Sequence, residues 1–335
     1  MQALLDAIAA MPLPVDAQRI FHGRGGLYPG CEQWTLDAYP PVFVLTSFAP
    51  ASDAQLAAIG AALQARWRLI APPDQAEQLN WVFQQRGLDA RHQPRSDTRL
   101  MAGHVPDPHV VTEGPARFRV QVLRGQNHGL FLDMAEGRRW VREFAAAFKA
   151  RQGRGARVLN LFAYTCAFSV AALQGGAAQV TNLDMARGAL ATGQHNHRLN
   201  GLPLSSASFL AHDLFNSWAK LTRSGPYDLV IADPPSYQKG SFVATKDYAR
   251  LLRRLPTLLA PGGYALLCLN APELPLEFLQ GLVHEHAPGL TFVERVANPV
   301  VFEDVEEGRG VKVAVYRSGK VVPLPFATSG VICKV

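Results

Sequence analysis

Asp228-Leu229-Val230-Ile231-Ala232-Asp233-Pro234-Pro235-Ser236-Tyr237 is an apolar run that stops on an acid and two prolines. Leu229 to Ala232 reads as a strand buried on both faces. Proline cannot donate to a sheet ladder, so that strand must end at Asp233. A carboxylate and a rigid, carbonyl-exposing turn therefore sit at the carboxyl end of a strand, where open α/β sheets bind their ligands. Asp233, Pro234 and Tyr237 become candidate catalytic residues. The acid and nearby carbonyls can hydrogen-bond the edge of a base, and Tyr237 can stack on it. The competing interpretation is a plain strand stop.

Around this run, strands and helices alternate from Arg157 onward, the signature of a parallel sheet covered by helices. Strands are expected at Val158–Leu161, Gln179–Leu183, Ser208–Leu210, Leu229–Ala232 and Tyr264–Leu269. Helices are expected at Ala167–Gln174, Arg187–Leu199 and Lys246–Leu259, with Gly201 as a left-handed helix terminator. Phe292–Val296 and Val311–Tyr316 have no helix between them, which predicts an antiparallel edge hairpin.

Upstream the pattern changes. Val42–Leu45 predicts a strand, and Asp53–Arg66 an amphipathic helix capped by Ser52. A short strand at Trp67–Ile70 and a helix over Gln75–Gln85 are expected to follow. Val110–Thr112 and Phe118–Val122 form a hairpin turning at Gly114-Pro115, and Leu130–Asp133 leads into a helix ending near Lys149. The division expected is an α+β domain over 1–105, possibly for substrate or RNA recognition, a linking β-hairpin and loop over 106–135, and a catalytic domain over 136–335.

Other candidate ligand residues fall at strand ends. Asn160 to Phe168 links the first strand of the alternating region to a helix without a G-x-G-x-x-G, so it offers no glycine cradle for a dinucleotide pyrophosphate. Asp184 ends the next strand and can accept from both hydroxyls of a ribose, while Met185 offers an apolar face to an adenine. Capping of the following helix is the other role open to Asp184. Asp213 follows the third strand and can accept from an adenine amino group.

Together, Asn160–Phe168, Asp184-Met185, the helix ending His195-Asn196-His197-Arg198-Leu199-Asn200-Gly201, and Asp233-Pro234-Pro235 resemble the class I S-adenosylmethionine (SAM)-dependent methyltransferases. More narrowly they resemble the bacterial family that methylates bases of 23S ribosomal RNA. Gly125–Asp133 is similar to the segment that family carries before its catalytic domain. The resemblance spans about Val110 to Arg317. It implies a Rossmann-like sheet of seven strands, SAM as cofactor and RNA as partner. It implies SAM contacts from Asn160, Phe162, Tyr164, Thr165, Cys166, Asp184, Met185, Asp213 and Asp233, with Gln126, Phe131 and Asp133 nearby.

Two departures bear on chemistry. Cys166 stands where the family usually has glycine, so a left-handed backbone there would be strained. Members that make 5-methylcytosine need a cysteine thiolate after the fifth strand; this chain has Asn270 there, in Leu267-Cys268-Leu269-Asn270. Asparagine resembles the guanine-modifying branch, in which a nitrogen attacks the methyl group directly and Asp233 and Asn270 position the base. Alternatives are a cytosine-C5 enzyme using Cys268, a small-molecule methyltransferase, and a binding factor without catalysis.

Composition suits these readings. The chain of 335 residues carries a formal charge of +6, compatible with a polyanion. Lys239, Lys246, Arg250, Arg253 and Arg254 are candidate phosphate contacts, with Arg138, Arg139 and Arg142 as a second patch. Four scattered cysteines predict neither disulfides nor a zinc site, and no secretory leader or membrane span is read, so a cytoplasmic enzyme is expected. The oligomeric state is left open.

Overall fold

The computed structural model describes residues 1–88, 94–235, 237–238, 242–306 and 308–319. A first sheet has five strands in chain order: β1 (Gln18–His22), β2 (Trp34–Tyr39), β3 (Val42–Ser47), β4 (Asn80–Leu88) and β5 (Pro94–Ala102). Helices α1 (Gln2–Ala10) and α2 (Asp53–Ile70) pack on it around Leu4, Ile8, Trp34, Ile59 and Phe83. The Ser52 hydroxyl accepts from Gln55 N while Gln55 returns a bond to Ser52 N, a complete capping box.

Two local expectations fail here. Trp67–Ile70 continues α2 instead of forming a strand: Ile59, Leu63 and Trp67, spaced by four, all face the core. The helix expected over Gln75–Gln85 is instead a turn running into β4, which pairs parallel to β3 with both faces covered. Burial of Trp81, Val82 and Phe83 in succession decides that segment over the helix propensity of its glutamines.

The expected hairpin forms as β6 (His109–Glu113) and β7 (Ala116–Val120), followed by α3 (Ala135–Gln152). The alternating region then runs β8 (Arg157–Leu161), α4 (Ala167–Gln174), β9 (Gln179–Asp184), α5 (Arg187–Leu199), β10 (Ala207–Ala211), α6 (Trp218–Ser224) and β11 (Tyr227–Ala232). After the short pair β12 (Tyr237–Gln238) and β13 (Phe242–Val243) come α7 (Ala244–Leu252), α8 (Leu255–Leu258), β14 (Leu259–Leu269), α9 (Leu276–His286), β15 (Leu290–Val296) and β16 (Lys312–Ser318). The single helix expected over Lys246–Leu259 therefore breaks after Leu252, and Pro256 opens the second piece, where its missing N–H costs nothing.

The second sheet has the order β10-β9-β8-β11-β14-β16-β15. Its first five strands are parallel, and β16 runs antiparallel to both neighbours. This is the Rossmann-like sheet of seven strands that was expected. The chain winds outward in one direction from β8 and in the other from β11, so a crevice opens between their carboxyl ends.

The hairpin joins the two sheets. Its Val111, Phe118 and Val120 share one core cluster with Tyr39 and Val44 of the first sheet and with Val170 of α4. Asn196 on α5 and Asn200 just after it serve its open edge: they accept from Arg119 N and Arg117 N, each at 2.9 Å, and Asn200 returns a bond to the Arg117 carbonyl. Arg138 on α3 is buried and forms a two-pronged ion pair with Glu113 of β6, at 2.7 and 2.5 Å. The second basic patch thus loses Arg138, whose charge is spent internally. Among the described residues, no helix is long and apolar enough to cross a membrane.

Removing one partner of a buried pair strands the other's charge. Arg138→Ala is therefore expected to cost about 3–5 kcal/mol in denaturant unfolding. Joint replacement of Arg138 and Glu113 by leucine should recover part of that loss.

Candidate active site and cofactor cleft

A cleft of about 460 Å³ lies over the carboxyl ends of β8, β9 and β11. Its floor begins with the β8–α4 loop. Phe162, Tyr164 and Cys166 all have positive φ, at 57°, 47° and 61°, three left-handed residues that are not glycine in a run of five. Such a turn persists only where its surroundings over-determine it. Asp184 accepts from Tyr164 N and Ala186 N, both at 2.8 Å. Thr165 donates to the Gly129 carbonyl at 2.7 Å, and its own carbonyl accepts from Asn196 at 3.0 Å.

Asp184 thus accepts one backbone N–H on each oxygen, tying the loop to the turn before α5 without capping that helix, and each oxygen keeps a free lone pair. Beside it, apolar groups are left in contact with solvent: Met185 is 52% exposed, and Phe131, 41% exposed, packs its ring 5.3 Å from that of Tyr164. Exposed apolar side chains lining a concave wall suit a flat heteroaromatic ring. Asp213 and His212 close this end of the cleft, and Asp213 also accepts from Asn216 N at 3.0 Å.

The other end is acidic. Asp133 and Asp233 both line the cleft. Burial, with the Asp133 carboxylate close by, pushes Asp233 up to about 7 against Arg138 and a hydrogen bond from Cys268. Burial raises Asp133 as well. Pro234, Pro235 and Asn270 complete the rim.

A crevice at the switch point, a ribose-competent acid, an apolar ring-sized wall and a buried acidic end fit a nucleoside that carries a positive charge. The family model for S-adenosylmethionine-dependent methyltransferases matches residues 18–317. This chain belongs to that family. It is 31% identical over 278 residues to ribosomal RNA large subunit methyltransferase I of Klebsiella pneumoniae, covering 82% of this chain and 65% of that protein. It is 34% identical over 202 residues to methyltransferase K/L of Psychrobacter, covering 58% of this chain and 23% of that one. The chain thus spans less than two thirds of the length of either relative. A candidate methyltransferase solved with S-adenosylhomocysteine (SAH) bound superposes with a TM-score of 0.74 at 22% identity, covering 94% of this chain and 81% of the other.

Within the methyltransferase fold, most sequence candidates converge on the cleft: Phe131, Asp133, Phe162, Tyr164, Thr165, Asp184, Met185, Asp213, Asp233, Pro234 and Asn270 line it. Three do not. Asn160 is buried and donates to Asn182 Oδ1 at 2.9 Å, so it braces the loop from beneath. Cys166 is fully buried against Gly193, with its thiol pushed well up by burial, so it is neither a ligand nor an activated nucleophile. Gln126 faces a neighbouring cleft. Cys268 is buried behind Asp233, and burial pushes its thiol well up. The side chain of Tyr237, together with Lys239, lies outside the described residues. Of the remaining cations, Lys246, Arg253 and Arg254 are exposed around α7, while Arg250 pairs with Asp247 at 3.0 Å. His212 and Val311 line the cleft without having been singled out, since neither belongs to a spaced motif.

Two outcomes follow. Asp233 is neutral below about 7 and ionised above it, and a sulfonium favours the ionised form. Affinity for SAM relative to uncharged SAH should therefore rise as pH passes through about 7, and Asp233→Asn should flatten the ratio in calorimetric titrations. At Cys166, a β-branched side chain cannot sit easily at φ 61°. Cys166→Val should lose about 1–3 kcal/mol of stability and weaken SAH binding, whereas Cys166→Gly keeps it.

Proposed function

We propose that this methyltransferase modifies a guanine of large-subunit ribosomal RNA, with 1–105 helping to present the RNA and 136–335 carrying the cofactor and the chemistry. The names of the relatives support the RNA class. The observation that carries the guanine assignment is the pairing of Asn270 at the cleft rim with Cys268 buried behind Asp233. A cytosine-C5 enzyme needs a thiolate within reach of the ring. Cys268 lines neither this cleft nor the adjoining one, and its burial opposes ionisation.

Bound SAM supplies an electrophilic methyl group on a good leaving group. The protein's task is then chiefly to position the acceptor. Asp184 and the left-handed loop fix the nucleoside end of the cleft, and Phe131 and Met185 cover its apolar face. Asp233, ionised, accepts from a guanine N–H, and the Pro234 turn and Asn270 hold the base edge. A ring or exocyclic nitrogen gives its lone pair to the methyl carbon as the carbon–sulfur bond breaks. Where that nitrogen sheds a proton, a carboxylate poised near 7 suits its acceptance.

The test is transfer of tritiated methyl from SAM to ribosomal RNA from a strain lacking this gene, followed by nucleoside analysis. Label in a modified guanosine is expected. Asp233→Ala should lower the rate by about 100-fold or more, and Cys268→Ser should leave it near the wild-type value. Label in 5-methylcytidine that vanishes in Cys268→Ser would overturn the assignment.

A further inference from the structure

A second cleft, of about 390 Å³, adjoins the first and shares Phe131, Asp133, Asn270 and Val311 with it. Its far side is built by the first sheet. Arg19 on β1 is satisfied there, paired with Asp37 of β2 through bonds of 2.7 and 3.1 Å and donating to His22 Nδ1. Two other cations are not. Among the described residues, neither Arg24 nor Arg86 pairs with a carboxylate: Arg24 lies 3.8 Å over the Phe48 ring, and Arg86 donates to Gln84 Oε1 and the Gln126 carbonyl. Burial and the neighbouring Arg19 guanidinium lower the pKa of both, against the pull of Asp304 on Arg24 and of Asp37 on Arg86. Their guanidinium groups share one aromatic ring, that of Phe48, at 3.8 and 5.9 Å.

The cleft also holds buried polar atoms without partners. His128 is 5% exposed, and among the described residues neither its Nε2 nor Asn298 Oδ1 has a hydrogen-bond partner. Burial, with Arg86 nearby, holds the His128 imidazole down at about 4, so it is neutral and able to donate or accept. Orphaned buried polar groups cost about 1–3 kcal/mol each unless a ligand or water serves them.

We propose that this second cleft is the acceptor-nucleotide pocket: the phosphate of the target nucleotide sits between Arg24 and Arg86, and its base reaches the methyl group past Asp133 and Asn270. The proposal rests on an RNA base being the acceptor. It assigns the β1 turn and β4 of the first sheet a direct part in holding substrate. His128 and Asn298 then supply the hydrogen bonds that the bound nucleotide completes.

The probes are guanosine 5′-monophosphate and guanosine, titrated calorimetrically into the SAH-bound full chain. A charge-assisted contact should make the monophosphate bind about tenfold or more tightly than the nucleoside. In Arg24→Ala, an exposed position, that advantage should fall below about twofold while SAH affinity stays unchanged; Arg86→Gln should behave alike. Equal binding of the two probes, an advantage kept in both variants, or no binding of either at millimolar concentration overturns the pocket. Ribosomal RNA labelling is scored separately. Labelling without a monophosphate advantage removes the pocket and leaves the function; an advantage without labelling removes the RNA assignment and supports the pocket.

Discussion

The Arg138 guanidinium is the fixed charge around which the rest of the site is arranged. It is buried, it holds Glu113 of the hairpin with two bonds, and it donates to the Phe131 carbonyl at 2.8 Å. One side chain thereby ties β6, the segment before α3 and α3 itself into a unit. The same charge opposes the upward shift of Asp233 and Asp133, keeping two neighbouring carboxyls within reach of ionisation. A buried cation with a single partner would be an expensive way to join two elements. Its cost is offset because it also sets the charge state of the acids above it.

Beneath the cofactor loop lies a second buried arrangement, made of neutral groups. Asn160 donates to Asn182, Asn182 to Ser169, and Ser169 lies 2.9 Å from His197 Nε2. His197 Nδ1 is 2.7 Å from the Gly193 carbonyl, which has no proton to give, so Nδ1 carries the hydrogen and Nε2 accepts from Ser169. The donor order is thus fixed from β8 through β9 and α4 to α5. Fully satisfied networks of this kind specify one arrangement of the elements they join. Three left-handed residues in the loop above need such a base, because their backbone strain must be held from outside.

Legibility in the sequence followed how local each signal was. The alternation after Arg157 and the Asp-Pro-Pro stop depend on neighbours in the chain, and the strands they indicate stand in the second sheet. Phe131, Asp184 and Asp233 line the cleft and are marked in the sequence by a strand end or an ordered series of motifs. Asn160 and Cys166 were singled out beside them, yet neither lines the cleft: a motif records which residues recur, not whether one faces a ligand or props up the loop beneath it. The misassignment of Trp67–Ile70 was avoidable, since Ile59, Leu63 and Trp67 already show a helical period. Arg24, Arg86 and His128 could not have been grouped from sequence. They lie on a turn, a strand and a loop whose juxtaposition is set by register between strands and by docking of the hairpin.

The charge arrangement also bears on turnover. Burial raises both acids, and the Asp133 carboxylate adds to the rise at Asp233, so a positive ligand beside Asp233 favours its ionised form. SAM brings that charge as its sulfonium. Transfer of the methyl group leaves an uncharged sulfide, and the attraction between cofactor and acids disappears with the same bond change that completes the reaction. On the proposed binding mode the acids would discriminate reactant from product by charge. The left-handed loop and Asp184 would, on that mode, hold the nucleoside portion common to both forms, confining the difference in affinity to the acidic end. A site built this way would grip its cofactor before transfer and loosen after it.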